Sequence, residues 1–242
     1  MAWSWKLNGG VTATNSNGSL TSTTQANTDA GVSIILYNGG GSAGDTIGHG
    51  LNSAPTQVWF KRRDEDGNWM NYFKEMGNNG YINLDRTNGK DTGGSPVNNT
   101  DPSSTVITLG SFQSLNGSTK TYVAYAFHSV EGFSKCGHYF GNSLDSGAFV
   151  YTGFTPKWVL IKNTARSADW RLSDTIRQPI NDDGGHILLP NDSSHEVTGE
   201  YDVDFLSNGF KLRSGDVYEN GSAEKIIYLA FAENPFKYAN AR

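Results

Sequence analysis

Acidic residues between positions 64 and 75 have types and spacing that could bind a cation. Asp64 and Asp66 stand two residues apart, and Glu75 lies where the distal ligand of a calcium loop would fall. Trp69, however, occupies the sixth position of such a loop, which requires glycine. The segment therefore fits a polar hairpin turn better than a calcium loop, and no bound metal is expected.

Catalytic chemistry has weaker support. Asp202 and Asp204 alternate along a predicted strand, and Asp182 and Asp183 flank a turn, so either pair could act in acid–base catalysis. Neither pair has a nucleophile at a defined spacing. The five histidines show no metal-ligand spacing, and neither a Gly-x-Ser-x-Gly elbow nor a phosphate-binding glycine loop is present. The sequence predicts a protein that is not an enzyme and needs no cofactor.

Two tryptophans have both a ligand-binding and a structural interpretation. Trp69 and Trp170 follow Asn68 and Asp169, at corresponding places in the two halves of the chain. Flat aromatic faces can stack on sugar rings, and two equivalent platforms would suit multivalent binding of a glycan. Large aromatic side chains dominate protein cores, so burial of both rings is the favoured interpretation and glycan stacking is the alternative.

Composition excludes several classes of protein. The chain has 242 residues, a net charge of −5, 29 glycines and a single cysteine, Cys136. One cysteine rules out an intrachain disulfide framework and multi-cysteine metal sites. No apolar run reaches the ~20 residues that span a bilayer, and the N-terminus does not resemble a signal peptide. A pI near 5.5 without a basic block argues against nucleic acid as the main partner.

The elements that position these residues are predicted to be short strands. Eight Asn-Gly and two Asp-Gly dipeptides predict type I′ turns. β-branched and aromatic runs lie between them, at 33–37, 57–60, 106–109, 122–127, 149–151, 158–161, 210–212 and 226–231. The runs at 122–127 and 226–231 are apolar on both faces, which predicts central strands. The pattern indicates an all-β protein made of two tandem antiparallel β-sandwiches, jelly-roll-like in type.

The tandem arrangement follows from an internal repeat. Asn116-Gly117-Ser118 recurs as Asn220-Gly221-Ser222, and other pairs, such as Lys61 and Lys162, recur in the same order. We therefore predict one β domain at 31–131 and a second at 132–242.

Residues 1–30 precede the repeat and form a polar N-terminal arm rich in Ser, Thr and Asn. Two interpretations remain open for this arm. It either packs against its own body or docks onto another subunit through Trp3, Trp5 and Leu7.

Several segments carry a resemblance to a known family. They include Ile47-Gly48-His49-Gly50-Leu51, Thr121-Tyr122-Val123-Ala124-Tyr125-Ala126-Phe127, and Val203-Asp204-Phe205-Leu206-Ser207-Asn208-Gly209-Phe210. Over about 30–242 the chain resembles an uncharacterised tandem β domain of tail and other virion proteins of bacteriophages, many of them marine. Members often carry a lectin-like sandwich upstream, and here only the arm stands in that place. The family provides no catalytic residues to transfer.

The resemblance implies a structural virion protein of a bacteriophage, located at the outer surface of the particle. We expect a tail-fibre or outer-appendage component anchored by its arm, with other virion proteins as partners and a part in host attachment. By analogy with phage fibres, it would be a homo-oligomer, such as a homotrimer. The alternatives are a capsid decoration or head-fibre protein and a carbohydrate-binding module that takes host surface glycans. Insertion into a membrane is not expected.

Overall fold

A computed structural model describes residues 11–179, 181, 185–199 and 203–234. It is almost entirely β, with antiparallel sheets and only single-turn helices, so the prediction of an all-β fold is confirmed. Within these residues, no helix has the length and apolar character needed to cross a membrane.

The chain divides into two compact units, called unit 1 and unit 2 below. Unit 1 comprises the described residues up to Asn83 together with Asp91–His128. Unit 2 comprises Leu84–Lys90 and the described residues from Ser129 onward. The division at 128 lies close to the predicted boundary at 131. The assignment of Leu84–Lys90 to unit 2 was not predicted.

Unit 1 contains nine strands and one short α-helix. They are β1 (Ala13–Asn15), β2 (Ser22–Asn27), β3 (Val32–Asn38), β4 (Thr46–Gly48), β5 (Gln57–Arg62), β6 (Met70–Phe73), β7 (Ile82–Asn83), β8 (Val106–Thr108), α1 (Gln113–Asn116) and β9 (Thr121–Phe127), with a 3-10 turn at Lys74–Met76. The larger sheet has the order β1-β2-β3-β9-β5-β6-β7, and β4 pairs with β8. The strand over 122–127 is central, as its two apolar faces predicted.

The core of unit 1 lies between its two sheets. Ile35, Phe60 and Tyr122 come from the larger sheet, and Ile47 and Ile107 come from the smaller one, all within one buried cluster. Each of these side chains is fully or almost fully removed from solvent, so their burial is the main favourable term in folding this unit.

The described part of the predicted arm belongs to unit 1. Strand β2 pairs antiparallel with β3, β1 pairs with β2, and Ser22 and Thr24 are buried. The boundary at residue 30 is therefore corrected, because residues 13–27 are part of the sheet. Of the two interpretations of the arm, packing against its own body holds for these residues. Trp3, Trp5 and Leu7 lie outside the described residues.

Unit 2 contains nine strands and one short α-helix. They are β10 (Ser134–Phe140), β11 (Phe149–Tyr151), β12 (Pro156–Asn163), β13 (Arg171–Asp174), β14 (His186–Leu188), β15 (Val197–Thr198), β16 (Val203–Leu206), β17 (Gly209–Leu212), α2 (Val217–Asn220) and β18 (Lys225–Ala232). The larger sheet has the order β10-β18-β12-β13-β14-β15, and the smaller one has the order β11-β17-β16. Val150, Phe210 and Tyr228 are in the core that these sheets share.

The larger sheets of the two units have the same strand order over five strands. The order β3-β9-β5-β6-β7 in unit 1 corresponds to β10-β18-β12-β13-β14 in unit 2. Register gives the matching residues, since Tyr37 pairs with Tyr122 where Tyr139 pairs with Ile226. The hydroxyls of Tyr37 and Tyr139 each donate to a helix carbonyl at 2.7 Å, on Leu115 and Glu219 respectively. The sequence repeat thus has a counterpart in the topology.

The repeated Asn-Gly-Ser motif provides a buried hydrogen-bonding centre in each unit. In unit 1, Asn116 accepts from the Gly40 amide at 2.9 Å and donates to the carbonyls of Ser42 and Gly110 at 2.9 and 3.1 Å. In unit 2, Asn220 accepts from the Asn142 amide and donates to the carbonyls of Leu144 and Ser214, all at 2.9 Å. Each asparagine thus links the short helix that carries it to two neighbouring loops through hydrogen bonds.

The predicted type I′ turns are wrong at the described Asn-Gly and Asp-Gly dipeptides. No residue of these dipeptides has the positive φ that such a turn requires. Most of these glycines are instead required by close backbone approach. A Cβ on Gly39 would lie 2.4 Å from the carbonyl oxygen of Gly117, and one on Gly209 would lie 2.1 Å from that of Val150.

Candidate functional site

A groove runs along one side of unit 2, between β10 and β11. Strand β10 is the terminal strand of the larger sheet, and β11 is the terminal strand of the smaller one, among the residues the structure describes. The groove has a volume of about 390 Å³, and its lining includes Ser129, Glu131, Ser134, Lys135, Tyr151 and Gly153. We call it the β10 groove.

Lys135 and Tyr151 dominate the chemistry of the β10 groove. The Lys135 ammonium donates to the Tyr151 carbonyl at 2.9 Å and lies 5.1 Å from the centroid of the Tyr151 ring. Tyr151 is 59% exposed, and Phe149 on the same face of β11 is 48% exposed. The lining therefore combines a cation, a carboxylate on Glu131 and aromatic surface.

The corresponding place in unit 1 is filled by the chain itself. Strand β4 matches β11, since Ile47 pairs with Ile107 where Val150 pairs with Phe210. Strand β2 lies beside β4, and the Ser22 hydroxyl donates to the Gly48 carbonyl at 2.8 Å. A parallel bridge also joins Leu20 to Ile47. Residues 20–27 thus cover in unit 1 the edges that form the β10 groove in unit 2.

Equivalent residues are small where β1 and β2 cover unit 1, and one of them is large where unit 2 is open. Gly48 of unit 1 lies under β1, where a Cβ would be 1.9 Å from Asn15 Oδ1. The matching residue of unit 2 is Tyr151, whose side chain is mostly exposed. Gly50 and Gly153 match as well, with φ of 72° and 88°. A Cβ on Gly50 would lie 3.1 Å from Thr24 Oγ1, so β2 fits closely there.

This arrangement can take up an extended polypeptide. A terminal strand can pair with an added strand through main-chain hydrogen bonds, and pockets beside it can select alternate side chains. The start of β10 is partly closed, because Ser134 and Val130 form an antiparallel bridge and the Ser129 hydroxyl accepts from the Cys136 amide at 3.0 Å. Lys135 is a typical edge-protecting residue, which an incoming strand would have to displace.

The predicted glycan-stacking residues differ from one another. Trp170 is 1% exposed and enclosed in unit 2, so the favoured core interpretation is confirmed for it and sugar stacking is not available to its ring. Trp69 is partly exposed, with its ring 6.0 Å from that of Tyr125 and 5.8 Å from the Lys61 ammonium. Trp69 alone keeps a partly accessible face.

The acidic residues considered as metal ligands or as acid–base pairs form ion pairs with arginines or lie outside the described residues. Asp64 and Glu65 pair with Arg62, at 2.8 and 2.5 Å, in the turn after β5. Asp204 pairs with Arg213 at 2.5 Å, and Asp182, Asp183 and Asp202 lie outside the described residues. In the described part of the chain, no group of three or more His, Cys, Asp or Glu side chains is arranged to hold a metal ion.

Sequence reasoning missed the β10 groove, although a signal for it existed. The segment from Asn15 to Asn27 precedes the first copy of the repeat, and no similar Ser/Thr tract precedes the second copy at 132. Had β2 been recognised as a strand, its missing counterpart would have indicated an open edge in unit 2.

Comparison with known proteins gives a family without a described activity. A family model described as "Domain of unknown function (DUF7483)" matches residues 1–235, which include residues of both units. No curated protein and no solved structure matches the chain.

Proposed function

The chain belongs to this family of domains of unknown function, and we propose a structural, non-enzymatic role for it. In this role it joins a neighbouring polypeptide by strand addition. The main support for this proposal is the β10 groove of unit 2, because β2 occupies the corresponding place in unit 1. The partner is an extended segment of small polar residues, similar in kind to Ser22–Asn27.

The setting we propose is the outer surface of a bacteriophage particle, as a tail-fibre or other appendage component. The resemblance of the sequence segments supports this setting, and a strand-accepting edge supports assembly with other virion proteins. The anchoring element in this proposal is the β10 groove rather than residues 13–27, because those residues already pair within unit 1.

Carbohydrate binding is a second candidate at the same place. Phe149 and Tyr151 occupy alternate positions of β11, so both project from one face of the strand, and both are about half exposed. Such a pair can stack on successive sugar rings of a host surface glycan.

A labelled peptide with the sequence of residues 20–28, Leu-Thr-Ser-Thr-Thr-Gln-Ala-Asn-Thr, tests strand addition to the full chain. Fluorescence anisotropy measures binding, and hydrogen exchange locates it. We expect a rise in anisotropy that a scrambled peptide does not produce, with new amide protection in β10. Protection gained only at β3, or binding equal to that of the scrambled peptide, contradicts the proposal.

Substitution of Lys135 by Ser sharpens the test. The register places Ser33 of unit 1 at the position of Lys135, so the variant gives the groove the residue that already faces β2. We expect tighter peptide binding by about tenfold, because the ammonium no longer has to be displaced. Lys74→Ser, the same change at an exposed site in unit 1, is the matched control. Oligosaccharide binding lost in Tyr151→Ala, without any peptide binding, favours the carbohydrate candidate.

A further inference from the structure

The turn after β5 in unit 1 and the turn after β12 in unit 2 carry the same lysine–tryptophan pair. The Lys61 ammonium lies 5.8 Å from the Trp69 ring centroid, and the Lys162 ammonium lies 6.0 Å from the Trp170 ring centroid. Each ammonium also donates to a carbonyl of its own turn, on Gly67 and Ala168 respectively. The pairing of Phe60 with Met70, and of Ile161 with Arg171, fixes the correspondence residue by residue.

In unit 2 a separate segment of the chain lies across this turn. The Thr87 carbonyl accepts from the Lys162 ammonium at 2.7 Å and from the Ala168 amide at 2.8 Å. The Lys90 amide donates to the Thr164 carbonyl at 2.8 Å. Lys162 is fully buried as a result, so the segment is held mainly through main-chain atoms on both sides.

In unit 1 the same main-chain atoms are open. Arg63 and Gly67 take the places of Thr164 and Ala168, and in the described ranges neither the Arg63 carbonyl nor the Gly67 amide makes a hydrogen bond. A Cβ built on Gly67 would meet no atom within 4 Å. Trp69 is partly exposed where Trp170 is enclosed, so this surface has the receptor atoms of unit 2, and within the described residues no segment lies across them as Leu84–Lys90 does in unit 2.

The charge of the two turns differs. Unit 1 has Asp64, Glu65 and Asp66 where unit 2 has Ala165, Arg166 and Ser167. Arg62 pairs with the first two carboxylates, whereas Asp66 is exposed and has no ion pair with another residue of the described chain. The Asp66 carboxylate, next to Gly67, therefore favours Arg or Lys at the partner position that lies against it.

We propose that the Lys61–Trp69 turn of unit 1 is a second binding site, which takes an extended basic segment of a partner polypeptide as unit 2 takes Leu84–Lys90. The partner offers a main-chain carbonyl to the Lys61 ammonium and the Gly67 amide. It offers an amide to the Arg63 carbonyl and a cationic side chain to Asp66. The site does not depend on the β10 groove, because the two lie in different units.

A labelled peptide with the sequence of residues 84–90, Leu-Asp-Arg-Thr-Asn-Gly-Lys, is the probe for the full chain. We expect saturable binding that changes the fluorescence of the partly exposed Trp69, and that weakens as ionic strength rises. A peptide with Glu in place of Arg and Lys should bind at least about tenfold more weakly. The Trp69→Phe variant should lose the fluorescence change and keep most of the anisotropy change.

Two substitutions at exposed positions separate this site from a nonspecific effect. Asp66→Lys should weaken binding by about tenfold, whereas Asp29→Lys, the same charge change at an exposed site of unit 1 away from this turn, should leave it unchanged. Lys135→Ser in the β10 groove should also leave it unchanged, so failure of either site is distinguishable. Equal binding of both peptides, equal binding by Asp66→Lys, or quenching of Trp69 by an oligosaccharide but not by peptide overturns the proposal.

Discussion

The two units place different chemistry at the same point of the same fold. Met70 and Leu115 belong to the apolar core of unit 1. Strand register shows that Arg171 of unit 2 corresponds to Met70 of unit 1. Glu219 corresponds to Leu115, because the carbonyl of each accepts the hydrogen bond from the equivalent tyrosine hydroxyl. Arg171 and Glu219 are buried and lie 3.1 Å apart as an ion pair. The same topology thus holds a methionine and a leucine at these two positions in unit 1 and a buried ion pair in unit 2.

The largest effect should come from breaking this pair on one side. Glu219→Leu removes the buried carboxylate that pairs with Arg171 and leaves the guanidinium charge buried. The variant should destabilise the protein by about 3–5 kcal/mol. Arg171→Met with Glu219→Leu copies unit 1 and should recover most of that loss. Urea unfolding of the single and double variants measures both values. A double variant as unstable as the single one would show that the two units differ in more than this pair.

The next effect tests whether the asparagine centres are equivalent. Asn116→Ala and Asn220→Ala each leave two loop carbonyls and one amide without their hydrogen-bond partner, at a cost of about 3 kcal/mol. Hydrogen exchange should show lost protection in α1 and β3 for the first variant, and in α2 and β10 for the second. Very different losses in the two units would argue against equivalent roles for the repeated motif.

The buried lysine of unit 2 should give a pH dependence. Burial lowers the pKa of Lys162 to about 8, from an ordinary value of 10.5. Between these values the unfolded chain binds more protons than the folded chain, so the free energy of unfolding should rise as the pH rises from about 8 to 10.5. Lys162→Met should remove this contribution, and Lys61→Met should keep it. Parallel profiles for the two variants would contradict the assignment.

The smallest effect concerns a position where the units use a histidine and a threonine. The Leu51 amide donates to His49 Nδ1 at 3.1 Å, and the Phe154 amide donates to the Thr152 hydroxyl at 3.4 Å. Burial lowers the pKa of His49, so its contribution is present above pH 6.5 and is lost as the pH falls through the folded-state value. His49→Thr should reduce the acid sensitivity of unit 1, as measured by urea unfolding across this pH range. His195→Thr, at an exposed site, should leave it unchanged.

Eight of the eighteen described strands were predictable, because β-branched and aromatic residues mark them directly. Seven of the eight predicted runs lie wholly within strands, the run at 106–109 extends one residue past β8, and the run at 149–151 matches β11 end to end. The central positions of β9 and β18 followed from their two apolar faces. Strands β1 and β2 were missed because their Ser, Thr and Asn residues resemble a flexible tract, although β2 is held by its pairing with β3.

The candidate sites were less predictable, because they depend on which segment covers which edge. The repeat correctly matched Trp69 with Trp170 and Lys61 with Lys162. Local sequence could not reveal that Leu84–Lys90 joins unit 2, and so could not show that only Trp69 keeps an exposed face. The turn types were wrong because close approach of backbone, rather than positive φ, required glycine.

The position of β9 and β18 has a consequence for synthesis of the protein. Among the described residues, each is the last strand of its unit in the chain, and each lies inside the larger sheet, β9 between β3 and β5, and β18 between β10 and β12. During synthesis, the strands on either side of each position therefore keep one edge unpaired until the unit is nearly complete, so folding is late and depends on long-range pairing. A nascent chain that stopped before Thr121 would hold β3 and β5 with no strand between them, exposed to aggregation.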